Sequence, residues 1–397
     1  MNSSNPYRKK LVIIVSRFPF PLEKGDKLRA FHQIKELSST YSITLIATTD
    51  SKVSKESIEQ LRKYCSTIYI FRLSKISIAF NICLQIFTKK PFQIGYFYSS
   101  KNNYRINKIL EEIKPDHIYC QLIRVSEFVK NYHHCKKTID YMDALSKGIQ
   151  RRIEKAPFYL KWLFKIESKR LANYERQIFD YFENQIIISE QDRELILHPN
   201  KAKIHCIPNG VDNSFFEKID ETKKYDLLFV GNMSYAPNIE AANYISTELI
   251  PNLKKSNPTI SFLISGANPH SSILKLAKNN SAISVSGWID DIRTSYAQGK
   301  IFIAPMMIGT GMQNKLIEAM AMGIPCITTS LANNAIKALH NESIIVANTK
   351  DEFIEAIEKL LSDSFYYFKI AEGGKSFVKQ NYNWQSTTQK LISIFEA

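Results

Sequence analysis

A chain of 397 residues exceeds what one hydrophobic core usually organises, so two domains of ordinary size are the first expectation. With 44% hydrophobic residues, 13 glycines and 14 prolines, the composition excludes a collagen-like, low-complexity or disordered protein. The formal net charge of +15 lies almost entirely in residues 1–200, with 34 Lys and Arg against 20 Asp and Glu, whereas residues 201–397 hold 19 against 18.

The first half alternates short apolar runs of β-branched residues with amphipathic segments. This alternation predicts a doubly wound parallel sheet, in which the strands are buried on both faces. The predicted strands are residues 11–16, 42–49, 66–73, 117–122, 136–142 and 184–189, and the predicted helices include residues 27–38 and 159–181.

The second half repeats the pattern after a Pro-Asn-Gly turn in residues 203–212, which we interpret as the domain boundary. Strands are predicted at residues 225–231, 259–266, 283–288, 300–306, 325–330 and 342–348, and residues 364–395 are predicted helical. We expect an N-terminal Rossmann-like domain at residues 1–205, a C-terminal one at 206–375, and a final helix at 376–397 that crosses back to the N-terminal domain.

The six cysteines form no CxxC pair, which indicates free thiols in a reducing cytoplasm and no structural zinc. The start of the chain has too few consecutive apolar residues for a signal peptide, and no window approaches the roughly 18 that a membrane span needs. We therefore expect a cytoplasmic protein, either soluble or peripheral on the inner membrane.

The segment of residues 309–325, GTGMQNKLIEAMAMGIP, combines a glycine-rich turn with a helical pattern directly after a predicted strand. Such a turn aims backbone N–H groups and the positive helix end at a ligand, and a diphosphate fits this site. Asn314 and Lys315 fall in the first helical turn and can bind the same phosphates. Glu318 can accept hydrogen bonds from both ribose hydroxyls. The alternative is that the turn only caps a helix and that Glu318 is a solvated side chain.

These residues resemble the retaining GT-B glycosyltransferases of family 4, many of which act in lipopolysaccharide, capsule or exopolysaccharide synthesis. The resembling segments are residues 207–212, 227–242, 262–269, 285–292 and 309–329, with 16–29 and 142–152 in the first half. The resemblance implies two Rossmann-like domains facing a central cleft and transfer, with retention, from a UDP- or GDP-linked sugar to a glycan or lipid-linked acceptor. We expect no cofactor. Asp290 and Asp291 are adjacent rather than spaced as in an Asp-x-Asp metal site, so we also expect a reaction that needs no metal.

The resemblance also assigns donor-binding residues. Glu318 binds the ribose, the backbone of residues 311–316 holds the diphosphate, and Trp288 and Ile289 lie along the nucleobase. The donor-binding set is Gly25, Gly231, Asn232, Trp288, Ile289, Gly309, Thr310, Gly311, Met312, Gln313, Asn314, Lys315, Leu316 and Glu318. Thr310 stands where the family has a sugar-contacting glutamate. Asn232 and Asn238 stand where it has phosphate-binding Arg and Lys, and they can instead be turn residues.

In the first half, the resemblance places the glycine loop at Gly25 against the donor, although residues 24–26 can also be a plain surface turn. Gln121 stands where the family has a histidine near the reacting sugar, and Arg124 is close enough to share its role. Asp143 matches the aspartate of a His-Asp pair, which makes it a candidate for acceptor orientation or proton uptake. A salt bridge from Asp143 to Arg151 or Arg152 is the competing explanation. With Glu318, these residues form the candidate catalytic set.

Residues 75–98 mix apolar and aromatic residues with lysines, a composition that suits either a membrane interface or a core helix under a loop. The basic first half suits the inner face of the cytoplasmic membrane or nucleic acid, but a nucleic-acid binder does not explain the motifs of the second half, so we expect no nucleic acid. A GT-B-fold sugar-nucleotide epimerase and a catalytically silent GT-B scaffold remain alternatives.

Overall fold

The computed structural model describes residues 8–307 and 312–397. They divide into two compact units. The first runs to Pro208 and takes up Thr387–Ala397, and the second is Asn209–Ser386. Each unit is built around one parallel β-sheet with helices on both faces.

The first unit has a sheet with strand order β3-β2-β1-β4-β5-β6-β7. Its strands are β1 (Lys10–Val15), β2 (Ser42–Thr49), β3 (Thr67–Arg72), β4 (His117–Gln121), β5 (Lys136–Asp140), β6 (Asn184–Ile187) and β7 (His205–Cys206). Its helices are α1 (Gly25–Leu37), α2 (Lys55–Arg62), α3 (Lys75–Ile86), α4 (Phe92–Phe97), α5 (Ser100–Ile113), α6 (Leu145–Lys155), α7 (Phe158–Ile178) and α8 (Glu190–Leu195). The strand order reverses between β1 and β4, where ligands of open α/β sheets usually bind.

Alternate residues of β1 feed two separate cores, as the predicted doubly wound sheet requires. Val12 and Ile14 pack into one apolar cluster, and Leu11, Ile13 and Val15 pack into the other. Because helices cover both faces, a continuous apolar run is the pattern of such a strand. The predicted parallel α/β organisation of this unit is confirmed.

The second unit has strand order β10-β9-β8-β11-β12-β13, which reverses between β8 and β11. Its strands are β8 (Tyr225–Val230), β9 (Phe262–Ser265), β10 (Ile283–Gly287), β11 (Gly299–Ala304), β12 (Cys326–Thr328) and β13 (Ile345–Val346). Its helices are α9 (Ala236–Tyr244), α10 (Ile250–Ser256), α11 (Ser271–Asn279), α12 (Ile292–Ala297), α13 (Asn314–Ala321), α14 (Ser330–Ile336), α15 (Lys350–Ser362) and α16 (Ser364–Asn381). The doubly wound pattern is therefore present in both units.

The last helix, α17 (Trp384–Glu396), begins in the second unit and packs on the first. Phe395 lies in the apolar cluster on one face of the first sheet and stacks on His117, with ring centroids 4.4 Å apart. The Tyr41 hydroxyl donates to Glu396 at 2.7 Å. The end of the chain is thus part of the core of the unit in which the chain begins.

Residues 75–98 fold as two helices, α3 and α4, joined by a short loop. The alternative of a core helix is wrong for α3, because none of its twelve residues is buried. The shorter α4 does bury Ile94 and Phe97.

Candidate functional site

In the second unit, the candidate site lies at the carboxyl ends of β8 and β11, where the strand order reverses. The loop after β8 begins with Gly231, and the segment after β11 leads into α13. Gly309, Thr310 and Gly311, predicted to bind the diphosphate, lie outside the described residues. The described residues nonetheless show that α13 follows β11 in the chain, and the start of such a helix favours an anion.

Helix α13 begins at Asn314, and the side chain of its N-cap residue, Gln313, makes no capping hydrogen bond. Asn314 Oδ1 accepts a hydrogen bond from Asn209 Nδ2 at 3.3 Å, which fixes the side chain beside the Pro-Asn-Gly turn. Leu316 is fully buried, and Met312 packs against the same core. Helix α13 is therefore anchored on its apolar face, and its positive end is directed towards the switch point.

Lys315 lies in the same first turn, and its ammonium donates to Asn238 Oδ1. The ammonium also lies 4.8 Å from the centre of the Phe229 ring, in a cation–π contact. Desolvation lowers the pKa of Lys315 to about 7, and the nearby carboxylate of Glu318 opposes that decrease. A dianionic diphosphate beside this ammonium would favour its protonated form.

Glu318 is held by a hydrogen bond that could not be predicted from the sequence. The hydroxyl of Tyr296, fully buried at the end of α12, donates to Glu318 Oε2 at 2.9 Å and lies 3.2 Å from the Lys315 carbonyl oxygen. Desolvation raises the pKa of Glu318, while Tyr296 and Lys315 hold it down. Within residues 8–307 and 312–397, no hydrogen bond reaches the second oxygen, Oε1, so this oxygen can accept a hydrogen bond from a ligand such as a ribose hydroxyl.

The loop after β8 is shaped by two glycines and two asparagines. Gly266 has φ +133°, and a Cβ there would collide with the carbonyl oxygen of Gly231, so position 266 needs glycine. A Cβ at Gly231 would lie 2.6 Å from Asn238 Nδ2, so a larger residue there would displace the Asn238 side chain. Asn232 Oδ1 accepts hydrogen bonds from the backbone N–H and hydroxyl of Ser234, an Asx turn. Asn238 Nδ2 donates to the Asn232 carbonyl oxygen at 2.9 Å. Both asparagines therefore stabilise the turn, which was the alternative to phosphate binding. Asn238 also links this loop to Lys315.

Trp288 follows β10 and is 63% exposed, and its indole N–H donates to Asp290 Oδ1 at 3.1 Å. Ile289 beside it is half-buried. Asp291 binds Arg293 in a side-chain ion pair at 2.7 Å and starts α12. The contact of Trp288 with a nucleobase stays a prediction, although its indole is exposed enough to permit it, and both aspartates bind groups of their own unit.

In the first unit, the loops after β1 and β4 meet at the reversal of strand order. Gln121, the last residue of β4, is buried and donates to the Asp26 carbonyl oxygen at 3.1 Å. The Asp26 carboxylate pairs with Arg17 Nη1 at 2.5 Å. Gly25 is the first residue of α1, and a Cβ there would meet no atom within 4 Å. Gln121 therefore positions the start of α1, and the surface at Gly25 is open enough for a ligand to approach closely.

Arg124 and Asp143 are electrostatically coupled at the same edge. Arg124 Nε donates to Gln93 Oε1 at 3.0 Å, and burial lowers its pKa while Asp143 opposes that change. Asp143 is exposed to solvent on one side. Desolvation by the protein around its carboxyl group raises its pKa, and the nearby Asp192 carboxylate adds to the increase. Within the described ranges, Asp143 forms no ion pair with Arg151, which acts on it only over a longer distance.

Two buried carboxylates that the sequence did not point out hold the chain around Asp143. Glu175 accepts from the backbone N–H of Ser146 at 3.0 Å and from its hydroxyl at 2.6 Å. Desolvation raises the pKa of Glu175 to about 7. Asp192 accepts from the backbone of Ala144 and from the Ser189 hydroxyl at 2.6 Å. The segment that carries Asp143 is thus tied down on both sides.

A buried ion pair supports this segment from below. Arg29 Nε donates to Asp140 Oδ2 at 2.6 Å, both side chains being fully buried, and Tyr119 donates to the same oxygen at 2.6 Å. Asp140 Oδ1 accepts from the backbone N–H of Met142, which has the left-handed φ of 61° that side chains rarely adopt. The network fixes the turn that exposes Asp143. Together, the two switch-point sites define a two-unit α/β protein with a candidate anion site in the second unit.

Comparison with known proteins agrees with this class. Residues 224–363 match the family described as Glycosyl transferases group 1. The chain is 25% identical to an uncharacterized 44.6 kDa protein in the cps region of Klebsiella pneumoniae, covering 98% of this chain and 99% of the relative. It is 28% identical to the UDP-Gal:alpha-D-GlcNAc-diphosphoundecaprenol alpha-1,3-galactosyltransferase of Escherichia coli over a stretch that covers 45% of this chain and 51% of that enzyme.

Among solved structures, Anabaena Alr3699/HepE in complex with UDP and glucose superposes with a TM-score of 0.67 at 12% identity, covering 98% of this chain and all of the other. This likeness and the two parallel α/β sheets confirm the predicted GT-B fold. The matched domain and the fold together support a GT-B glycosyltransferase, whose reaction class is glycosyl transfer.

Proposed function

We propose that the protein transfers a sugar, with retention, from a UDP- or GDP-linked donor to a glycan or lipid-linked acceptor in the synthesis of a cell-envelope polysaccharide. The observation that carries the proposal is Glu318, oriented by Tyr296 one turn beyond the start of α13. A helix start with a carboxylate one turn along accommodates a diphosphate and the adjoining ribose.

The relatives narrow the donor and the pathway. The Escherichia coli enzyme is named for a UDP-linked sugar and a diphosphoundecaprenol acceptor, and the Klebsiella pneumoniae relative is encoded in a cps region. These names support a UDP-linked donor, a lipid-linked acceptor and the synthesis of a cell-envelope polysaccharide as the proposed pathway of this chain. The exposed Trp288 face suits the base of such a donor.

The residues divide the chemistry between leaving-group stabilisation and acceptor handling. The first-turn backbone of α13 and the Lys315 ammonium stabilise the charge that develops on the departing diphosphate. Asp143, with its raised pKa and the tied segment around it, orients the acceptor hydroxyl or takes up its proton. Arg124 lies close enough to adjust the charge of Asp143.

The test combines a panel of UDP- and GDP-sugars with the substitution Glu318→Ala and the control Glu355→Ala, an exposed glutamate on α15 of the same unit. Binding and turnover should fall at least about tenfold in the first variant, a loss of about 1.4 kcal/mol, and stay unchanged in the second. NMR of the product should show the anomeric configuration of the donor.

Two results would redirect the proposal. Donor conversion without any acceptor would favour a sugar-nucleotide epimerase. Absence of nucleotide binding in the unsubstituted protein would favour a silent scaffold. Turnover that persists in EDTA is the expected result for a site that uses Lys315 and backbone amides.

A further inference from the structure

Helix α3 of the first unit presents large apolar side chains to solvent. The exposed fractions are 85% for Ile76, 63% for Phe80, 60% for Ile86 and 88% for Phe87, which directly follows the helix. None of the twelve residues of α3 is buried. A soluble protein seldom leaves so contiguous an apolar surface uncovered unless it binds something.

The start of α7 presents a second set of the same kind. Phe158 is 86% exposed, Tyr159 59%, Trp162 60% and Ile166 36%. The spacing of Phe158, Trp162 and Ile166 at four-residue intervals places them along one face of the helix. This face points away from the core that the later turns of α7 reach through Leu171 and Ile178.

Side chains of α7 bind α3 and the loop after it, so the two apolar sets are neighbours. Arg170 Nη1 donates to the Gln85 carbonyl oxygen at 2.6 Å and to the Lys90 carbonyl oxygen at 3.2 Å. Glu167 accepts from the backbone N–H groups of Phe92 at 2.7 Å and Gln93 at 3.0 Å. Since Arg170 is one turn beyond Ile166, the end of α3 lies beside the exposed face of α7.

The exposed charges carried by residues 75–90 and 157–170 are of one sign. Residues 75–90 and 157–170 contain one acidic residue, Glu167, whose carboxylate is occupied by backbone N–H groups. Lys90 pairs with Glu127 at 2.7 Å. The exposed lysines at this surface are Lys75, Lys89, Lys90, Lys161, Lys165 and Lys169. An anionic partner with an apolar interior is complementary to this combination.

We propose that α3 and the first turns of α7 together form a docking surface for an anionic lipid bilayer. The aromatic and aliphatic side chains would enter the boundary between headgroups and acyl chains, and the surrounding lysines would be attracted to the anionic headgroups. A second copy of this chain is the less favourable occupant, because a symmetric contact would bring the lysines of both copies together. In the described residues no helix is long and apolar enough to cross a membrane, so the contact is interfacial.

The proposal deepens the proposed function, because a lipid-linked acceptor is found at a membrane. The purpose of docking rests on the proposed function. Docking itself is measured without turnover. The full chain is sedimented with vesicles of equimolar phosphatidylglycerol and phosphatidylcholine, and with vesicles of phosphatidylcholine alone. The test variant carries Phe80→Ser and Trp162→Ser. The matched control carries Phe365→Ser and Phe368→Ser, two exposed aromatic residues on α16 of the second unit.

We expect binding to the anionic vesicles, at least about tenfold weaker binding of the test variant, and unchanged binding of the control. Calorimetric titration with UDP should give the same affinity for all three proteins. Equal binding to both vesicle types, no binding, or equal loss in both variants would overturn the proposal. So would a dimer in solution that the test variant converts to a monomer without a change in lipid binding. Vesicle binding that persists when UDP does not bind would refute the proposed function and leave the docking surface standing.

Discussion

The hydrogen bond from Tyr296 to Glu318 makes a direct prediction about nucleotide affinity. Tyr296→Phe removes one hydroxyl from a fully buried ring and leaves Glu318 Oε2 without its donor at 2.9 Å. A hydrogen bond to a charged group contributes about 1.5–3 kcal/mol, but Glu318 is only half-buried and water can replace part of that bond. We therefore expect a loss of about 1 kcal/mol in UDP binding, or about fivefold in affinity.

The assay is calorimetric titration with UDP, accompanied by thermal unfolding to show that the variant is folded. Tyr382→Phe is the matched control. Its hydroxyl is also in the second unit and buried, and it donates to the Ile336 carbonyl oxygen at 2.6 Å rather than to the candidate site. If Tyr296→Phe binds UDP as tightly as the unsubstituted protein, or if the control loses as much, the positioning role of Tyr296 is refuted.

Three further predictions follow from the charges and the backbone. Because burial lowers the pKa of Lys315 to about 7, binding of a UDP-sugar at pH 8 should take up a proton, and Lys315→Met should abolish the dependence of binding heat on buffer ionisation. Burial raises the pKa of Glu175 to about 7, so its contribution to stability is lost as pH rises from about 4.5 to 7. In urea denaturation, Glu175→Gln should flatten that decline, which is about 3 kcal/mol at most. Arg29→Met leaves a buried Asp140 carboxylate without its cation and should cost about 3–5 kcal/mol of unfolding free energy; a loss below 1 kcal/mol would contradict the network.

Local pattern was enough to predict the layered organisation of the chain. The run LVIIV of β1 is apolar on both sides because helices cover both faces of the sheet, and this periodicity is visible without any partner. The start of α13 and the place of Glu318 one turn along it were equally local, since both depend on residues within one turn of each other. The roles of Gly309, Thr310 and Gly311 stay predictions.

Contacts between distant residues were beyond the reach of the sequence. Tyr296 is 22 residues from Glu318, and Asn238 is 77 residues from Lys315. Whether such groups meet depends on the strand order, because only neighbouring strands bring their following loops together. The same holds for Glu175, which binds a segment 29 residues earlier in the chain.

For helix α3, the sequence predicts an apolar helix, but only the tertiary structure shows whether its apolar side chains are exposed. An apolar helical run is compatible with a core helix and with an interfacial one, because periodicity describes one element and not its neighbours. Only the packing of the first unit showed that Phe80 of α3 is 63% exposed and that the exposed Trp162 of α7 belongs to the same surface. The sequence thus determined the elements and the local chemistry of Glu318. The tertiary structure decided which groups hold Glu318 and which apolar side chains remain for a membrane, since both depend on long-range packing.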